Sequence, residues 1–192
     1  MRIAFCHWNN LHLVAVSGHP AGMRIHTVQR SDWRDYRQIR LAALMDAPSA
    51  YASTWQQEAS LSELQWMDWA ERSQVGESST VVAAVDDLDC WVGVAGGFRP
   101  GNRGADAELI AMWVAPGCRR NGFGLELVRA VMAWAKDHGA ATIGLWVTES
   151  NRAAIGMYGK AGFHRTGEAD KLPSDPNQNE IRMLWAADRA CT

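Results

Sequence analysis

The stretch Val114-Ala-Pro-Gly-Cys-Arg-Arg-Asn-Gly-Phe-Gly124 constrains this chain more than any other. It follows an apolar run, residues 107–114, and opens an amphipathic pattern that continues to about residue 138. A strand that turns directly into a helix brings the helix's first amides to the surface, where they lack intrahelical partners. Those amides, the positive end of the helix dipole and the guanidinium groups of Arg119 and Arg120 form a site for a phosphate or pyrophosphate. Gly122 and Gly124 let the backbone approach such an anion and take a positive φ where one is needed. Two commoner nucleotide motifs are excluded. No Lys-Ser or Lys-Thr follows the glycines, and no third glycine stands three residues beyond Gly124. The plain alternative is a tight turn with solvated arginines.

A second pattern lies downstream. An apolar run, Thr142-Ile-Gly-Leu-Trp-Val-Thr148, precedes Asn151-Arg-Ala-Ala-Ile-Gly-Met-Tyr158 and then Gly162-Phe163. Asn151 suits a helix N-cap, and Gly162 falls where a helix-terminating glycine belongs. Tyr158 stands seven residues after Asn151, which puts both on one face of a short helix.

Val114-Ala-Pro116, Arg119-Arg-Asn-Gly-Phe-Gly124 and Asn151…Tyr158…Gly162-Phe163, in that order and separation, resemble the GNAT superfamily of acyl-CoA-dependent N-acyltransferases. The resemblance is clear over roughly residues 80–165 and extends back to about residue 23. It implies an α/β (α+β) fold. A central, mostly antiparallel mixed sheet of about six to seven strands carries about four helices, and two neighbouring strands splay apart to hold acyl-CoA. By position, Arg119, Arg120, Asn121, Gly122, Phe123 and Gly124 would hold the pyrophosphate, mainly through backbone amides. Met112, Trp113 and Val114 would pair with the pantetheine amides through their backbone. Asn151 would contact the pantetheine arm, and Tyr158 would sit near the thioester sulfur. The resemblance also puts acceptor residues in the segment 49–57, with Tyr51, Thr54 and Trp55 as candidates, and in the loop 168–180. Family members are often homodimers.

Composition narrows the remaining classes. A chain of 192 residues builds one good core and not two full-size domains. A net charge of −2 argues against nucleic-acid and membrane-surface binding. Cys6, Cys90, Cys118 and Cys191 show neither paired nor metal-type spacing, so a reduced, cytoplasmic compartment and no metal are expected. Cys118, beside the anion loop, reads as a small packing residue. Apolar runs stay shorter than a membrane span. The early apolar residues are broken by His7-Trp-Asn-Asn10, so residues 1–22 read as an extension ahead of Met23, 23–188 as a single N-acetyltransferase domain and 189–192 as a tail.

Alternation predicts strands near 24–29, 80–86, 91–98, 107–114, 143–148, 163–167 and 181–186. Helical periodicity predicts helices near 31–45, from Ser60 or Ser62 onward, 124–138 and 151–161. Leu61, Leu64, Met67 and Trp69 form the apolar side of the second helix. Residues 49–57 and 168–180 read as irregular. Trp66, Trp69, Trp113, Trp134 and Trp146 fall at apolar positions and are expected in the core.

Acetyl transfer to an amine needs a base for the ammonium, a donor for the developing oxyanion and an acid for the departing thiolate. Glu108 is the candidate base, a carboxylate in an otherwise apolar strand, acting directly or through water. The alternative is an outward-facing or ion-paired glutamate. Tyr158 is the candidate acid, because a phenol with a pKa of about 10 stays protonated at neutrality; the alternative is a packed tyrosine. A backbone amide at 112–114 would serve the oxyanion. No nucleophile has a base at motif spacing, so a primary amine of a small molecule or peptide is expected to attack acetyl-CoA directly. A non-catalytic acyl-CoA sensor and an O- or longer-chain acyltransferase are the rival readings. A chain beginning at Met23 is expected to melt within a few degrees of the full chain in a thermal scan; a large drop would show that residues 1–22 pack on the domain.

Overall fold

Seven runs rich in β-branched, aromatic or alternating residues form one sheet. They are β1 (Arg24–Thr27), β2 (Ser79–Val85), β3 (Trp91–Phe98), β4 (Ala107–Val114), β5 (Thr142–Thr148), β6 (His164–Leu172) and β7 (Asp175–Ala186). The structure, a computed structural model, describes residues 22–51, 53–101, 104–173 and 175–187. The expectations for residues 1–21 and for the tail 189–192 therefore lie outside the described residues. Strand order is β1-β2-β3-β4-β5-β7-β6. All neighbours are antiparallel except β4 and β5. Five α-helices accompany the sheet among the described residues: α1 (Trp33–Asp46), α2 (Trp55–Ala59), α3 (Glu63–Val75), α4 (Phe123–Asp137) and α5 (Arg152–Lys160). None is long and apolar enough to cross a membrane.

The helices form two layers. On one face, Leu127, Val128, Val131 and Ala135 of α4 bury against Ala84, Ala95, Leu109, Ile143 and Leu145 of the sheet. On the other, Tyr36, Ile39, Ala43 and Leu44 of α1 join Trp66 and Ala70 of α3 over Val94 and Trp113. In α1 the stripe of Tyr36, Ile39, Ala43 and Leu44 is the buried side. The apolar side predicted for α3 is only partly so: Leu61, Met67 and Trp69 pack half-buried against this cluster, but Leu64 is 66% exposed, and Trp66, Ala70 and Ser73 form the fully buried row. These follow an i, i+4, i+7 row in which a small residue and a hydroxyl weaken the hydrophobic signal. Trp146 also departs from expectation at 40% exposed, because its face of β5 carries no helix. Ser62 caps α3 as predicted, accepting from the Gln65 amide in a capping box.

Two irregular segments are regular in the structure. Residues Trp55–Ala59 form α2, capped by Thr54. The stretch read as a polar loop at 168–180 lies largely in β6 and β7, with Ala169 opposite Ile181 and Lys171 opposite Asn179. β6 is exposed along nearly its whole length. An exposed ribbon has no core-facing side, so it leaves no alternation to read. Cysteine usage differs too: Cys90 is disulfide-bonded.

The site is positioned by the junction of β4 and β5. They pair in parallel at only two places, Ala107 with Ile143 and Glu108 with Gly144. Beyond these β5 continues against β7 to Thr148, while β4 follows β3 to Val114. The two strands therefore part. Their joined end is stitched by Asp106, whose Oδ2 accepts from the amides of Ala141 (2.9 Å) and Thr142 (2.8 Å) and from the Thr142 hydroxyl (2.9 Å). The Thr142 side-chain hydrogen bond, with the backbone bonds, holds the Asp106 carboxyl below the usual range. A depressed carboxyl stabilises the fold above the ordinary aspartate range and loses that contribution as pH falls through it. The stability gap between wild type and Asp106→Ala should therefore be full at about pH 6 and narrow as pH drops below about 4. Urea unfolding across that range checks this, and a gap independent of pH would assign the effect to packing alone.

Candidate active site

Beyond the stitched end, β4 carries a bulge. Val94 faces Trp113 and Gly96 faces Ile110, so Ala111 and Met112 together oppose the single Ala95. Ala111 has a φ of 54°, a left-handed conformation that a residue with a Cβ adopts at a cost. The extra residue shifts the strand's alternation. Ala107 and Leu109 face α4 before the bulge, and Met112 and Val114 face it afterwards. Ala111 and Trp113 turn to the α1 side. On the side where β5 has departed, the backbone of 109–114 has no strand partner. It is available to an extended amide-bearing chain, as the resemblance implied for Met112, Trp113 and Val114. The Trp113 side chain serves the other face: it is 5% exposed, and its Nε1 donates to Asp46 Oδ2 at 2.9 Å.

The strand leads into the loop that opens α4. Arg120 and Gly122 take φ values of 66° and 88°, and α4 begins at Phe123 with no side-chain cap. The amides at the start of α4 thus face outward with the helix dipole behind them. Arg120, Asn121 and Gly122 are exposed at this turn, and Phe123 is buried beneath it. Arg119 does something else. Its Nε donates to the Val114 carbonyl at 2.9 Å and its Nη2 pairs with Asp46 at the end of α1. It braces the loop against α1, so Arg120 is the guanidinium left beside the amides. Gly124 also has a different reason from the one expected. A Cβ there would lie 2.7 Å from Met157 Sδ and 3.2 Å from Met112 Cε. The glycine lets α4 seat against α5 and β4. Burial pushes the nearby Cys118 thiol up, which keeps it an unreactive packing group.

Across the gap, Asn151 Oδ1 caps α5 by accepting from the Ala154 amide at 3.1 Å. That cap orients the helix so that Tyr158 points inward, 5% exposed, with its ring edge-on to Phe163 at 6.0 Å. Burial raises the Tyr158 phenol well above its ordinary value, and the nearby Tyr51 adds to this. Tyr158 is a neutral O–H at every working pH. Tyr51, 8% exposed, is therefore brought to the same region. Thr54 and Trp55 are not: Thr54 is the exposed cap of α2, and Trp55 is 41% exposed at its start.

Glu108 is ion-paired, as the alternative reading had it. Arg182 of β7 donates to both its oxygens, Nη1 to Oε2 at 2.7 Å and Nη2 to Oε1 at 2.5 Å, with both side chains mostly buried. Arg182 reaches β4 by crossing β5 at Gly144, where a Cβ would sit 2.1 Å from Nη2. Trp146 flanks the guanidinium at 5.5 Å. Local sequence could not reveal Arg182, Gly144 or Asp46, because each acts on a residue more than thirty positions away. A glycine in a strand interior, marking a close approach, was the one available signal.

Comparison with known proteins decides the family. Residues 28–163 match the model of the acetyltransferase (GNAT) family. The chain belongs to that family. Among curated relatives, a mycothiol acetyltransferase of Renibacterium salmoninarum is 26% identical over 144 residues, covering 72% of this chain and 39% of the relative. The chain spans between 22% and 51% of the length of the curated relatives it matches. Among solved structures, a GNAT acetyltransferase from Streptococcus pneumoniae superposes with a TM-score of 0.70 at 15% identity, covering 85% of this chain and 98% of the other. The structure of yncA from Salmonella typhimurium, solved with its cofactor acetyl-CoA, gives 0.66 at 18% identity, covering 89% and 97%. These likenesses establish the GNAT fold, including the mixed sheet.

The Gly144 crossing generates a prediction for this GNAT chain. Gly144→Val should displace Arg182 from Glu108 and cost about 1–3 kcal/mol, the range for overpacking a filled site. Chemical denaturation measures this, and an unchanged midpoint would show that Arg182 reaches Glu108 by another route.

Proposed function

We propose that this chain is an N-acetyltransferase that moves an acetyl group from acetyl-CoA to a primary amine of a small molecule or peptide by direct attack on the thioester. One observation carries the reading. The parallel strands β4 and β5 part after two residue pairs, beside an uncapped helix start and opposite a buried, neutral phenol. The residues fit the donor. Outward amides from Gly122 to Leu125, with Arg120, would take the pyrophosphate, braced by Arg119. The unpaired edge of Met112–Val114 would take the pantetheine amides, and Asn151 would border the arm. Relatives named as acetyltransferases support acetyl transfer as the reaction class.

The chain's own groups then have defined tasks. Tyr158 keeps its proton until a thiolate needs it, because burial disfavours the phenolate. Glu108 accepts from Arg182 at both oxygens, and each oxygen retains a further lone pair for the amine or for a relaying water. A backbone amide at 112–114, just after the bulge at Ala111, would donate to the carbonyl oxygen that develops charge.

Free-thiol release from acetyl-CoA against a panel of amines tests the activity; no release with any amine would remove it. Tyr158→Phe should lower kcat by about 100-fold with CoA affinity intact. Glu108→Gln should slow turnover most at low pH, where the amine is fully protonated. Arg119→Ala with Arg120→Ala should weaken CoA binding by about 1–3 kcal/mol in calorimetric titration. Unchanged affinity would move the pyrophosphate site elsewhere.

A further inference from the structure

A buried polar cluster lies between α1 and α2, outside the acyl-donor site. Arg40 of α1 donates through Nε to Glu58 Oε2 at 2.9 Å and through Nη2 to Glu58 Oε1 at 2.7 Å and to Ser53 Oγ at 3.1 Å. Ser53 also donates to Glu58. Glu58 is 2% exposed. The Arg40 guanidinium lies over the Tyr51 ring, 4.4 Å from its centroid. Two polar atoms here are buried and have no hydrogen-bond partner: Arg40 Nη1 and the Tyr51 hydroxyl. Apart from Trp66 Nε1, they are the only such side-chain atoms among the described residues. Buried polar groups are almost always satisfied, so two orphans on stacked side chains call for a missing partner.

Their place is set by the fold. Asp46 ties the end of α1 to Trp113 and Arg119, and the chain then runs directly to Tyr51. Tyr51 shares a buried cluster with Trp113 and Ala115, at the end of β4 where the strands part. The phenol also acts electrostatically on Tyr158.

The chemistry of the missing partner follows. A guanidinium N–H only donates, and a phenol held protonated donates as well. Both therefore ask for an accepting oxygen. An ammonium is excluded beside Arg40, so the acceptor's amine lies elsewhere. A carboxylate is disfavoured, because Glu58 already balances Arg40 and a second buried anion would stand uncompensated. A neutral carbonyl meets both conditions. We infer that Arg40 Nη1 and the Tyr51 hydroxyl bind a neutral carbonyl oxygen of the acceptor, so that the acceptor is an amine bearing an amide, as in an amino-acid amide or the N-terminus of a peptide. This rests on the acetyl-transfer reading above.

The test compares leucinamide, leucine and isoamylamine by calorimetric titration of the CoA-loaded protein. Leucinamide should bind about tenfold more tightly than either of the others, the scale of one or two well-made hydrogen bonds. Tyr51→Phe should abolish most of that preference while leaving CoA affinity unchanged and Tm equal or higher, because no bond within the protein is lost. Leucine or isoamylamine binding as tightly as leucinamide would overturn the inference. So would a Tyr51→Phe protein that keeps the preference, or one that loses several degrees of Tm with the preference intact. Absence of CoA binding by the wild type would sink the acetyl-transfer reading separately; the three titrations, run on the protein alone, would still decide this one.

Discussion

The architecture depends on how little β4 and β5 touch. Two parallel residue pairs and one aspartate join them, and the gap opens where that joint ends. A longer parallel ladder would satisfy the β4 edge internally and leave nothing for an amide-bearing ligand. A shorter one would let the two halves of the sheet drift, since β1 to β4 and β5 to β7 are otherwise separate antiparallel units. Asp106 is well suited to the joint. It is a short carboxylate that accepts from two backbone amides and a hydroxyl at the same oxygen.

The two faces of the sheet are built from different materials. The α4 face is a dry apolar core in which residues of five strands, β2 to β5 and β7, meet one helix stripe. The opposite face, from Glu108 toward β7, carries Arg182, Gly144 and a half-exposed Trp146 with no helix above them. Among the described residues, buried charge on that side is paired, Arg182 with Glu108 and Arg40 with Glu58. Replacing such pairs with apolar residues is often neutral or stabilising.

Much of this was legible from residue order. The uncapped helix start after the Gly122 turn, the Asn151 cap, the buried Tyr158 and the positions of β1 to β5 along the chain follow from local rules: glycine conformational freedom, capping chemistry and alternation. What stayed hidden involved distant partners or missing contrast. Arg119 carries the same charge whether it meets a phosphate or Asp46, so its brace was invisible. Glu108 could be seen as a carboxylate in an apolar strand, but not that Arg182 stands beside it. The β6–β7 ribbon is polar on both faces and reads as a loop. Trp66 and Leu64 sit two positions apart in one helix, and only the packing of α3 on α1 decides which is buried.

The bulge at Ala111 and Met112 acts on β4 as a change of reading frame acts on a message. Before it, odd-numbered residues face the dry core; after it, even-numbered ones do. A strand of the same length without the bulge would keep odd-numbered residues on the dry face throughout, turning Trp113 toward α4 and away from Asp46 while Met112 and Val114 turned to the α1 side. Removing one residue at the bulge would instead straighten β4 and leave Trp113 and Val114 on their present faces. What the extra residue adds is therefore the bend in β4 beside the gap.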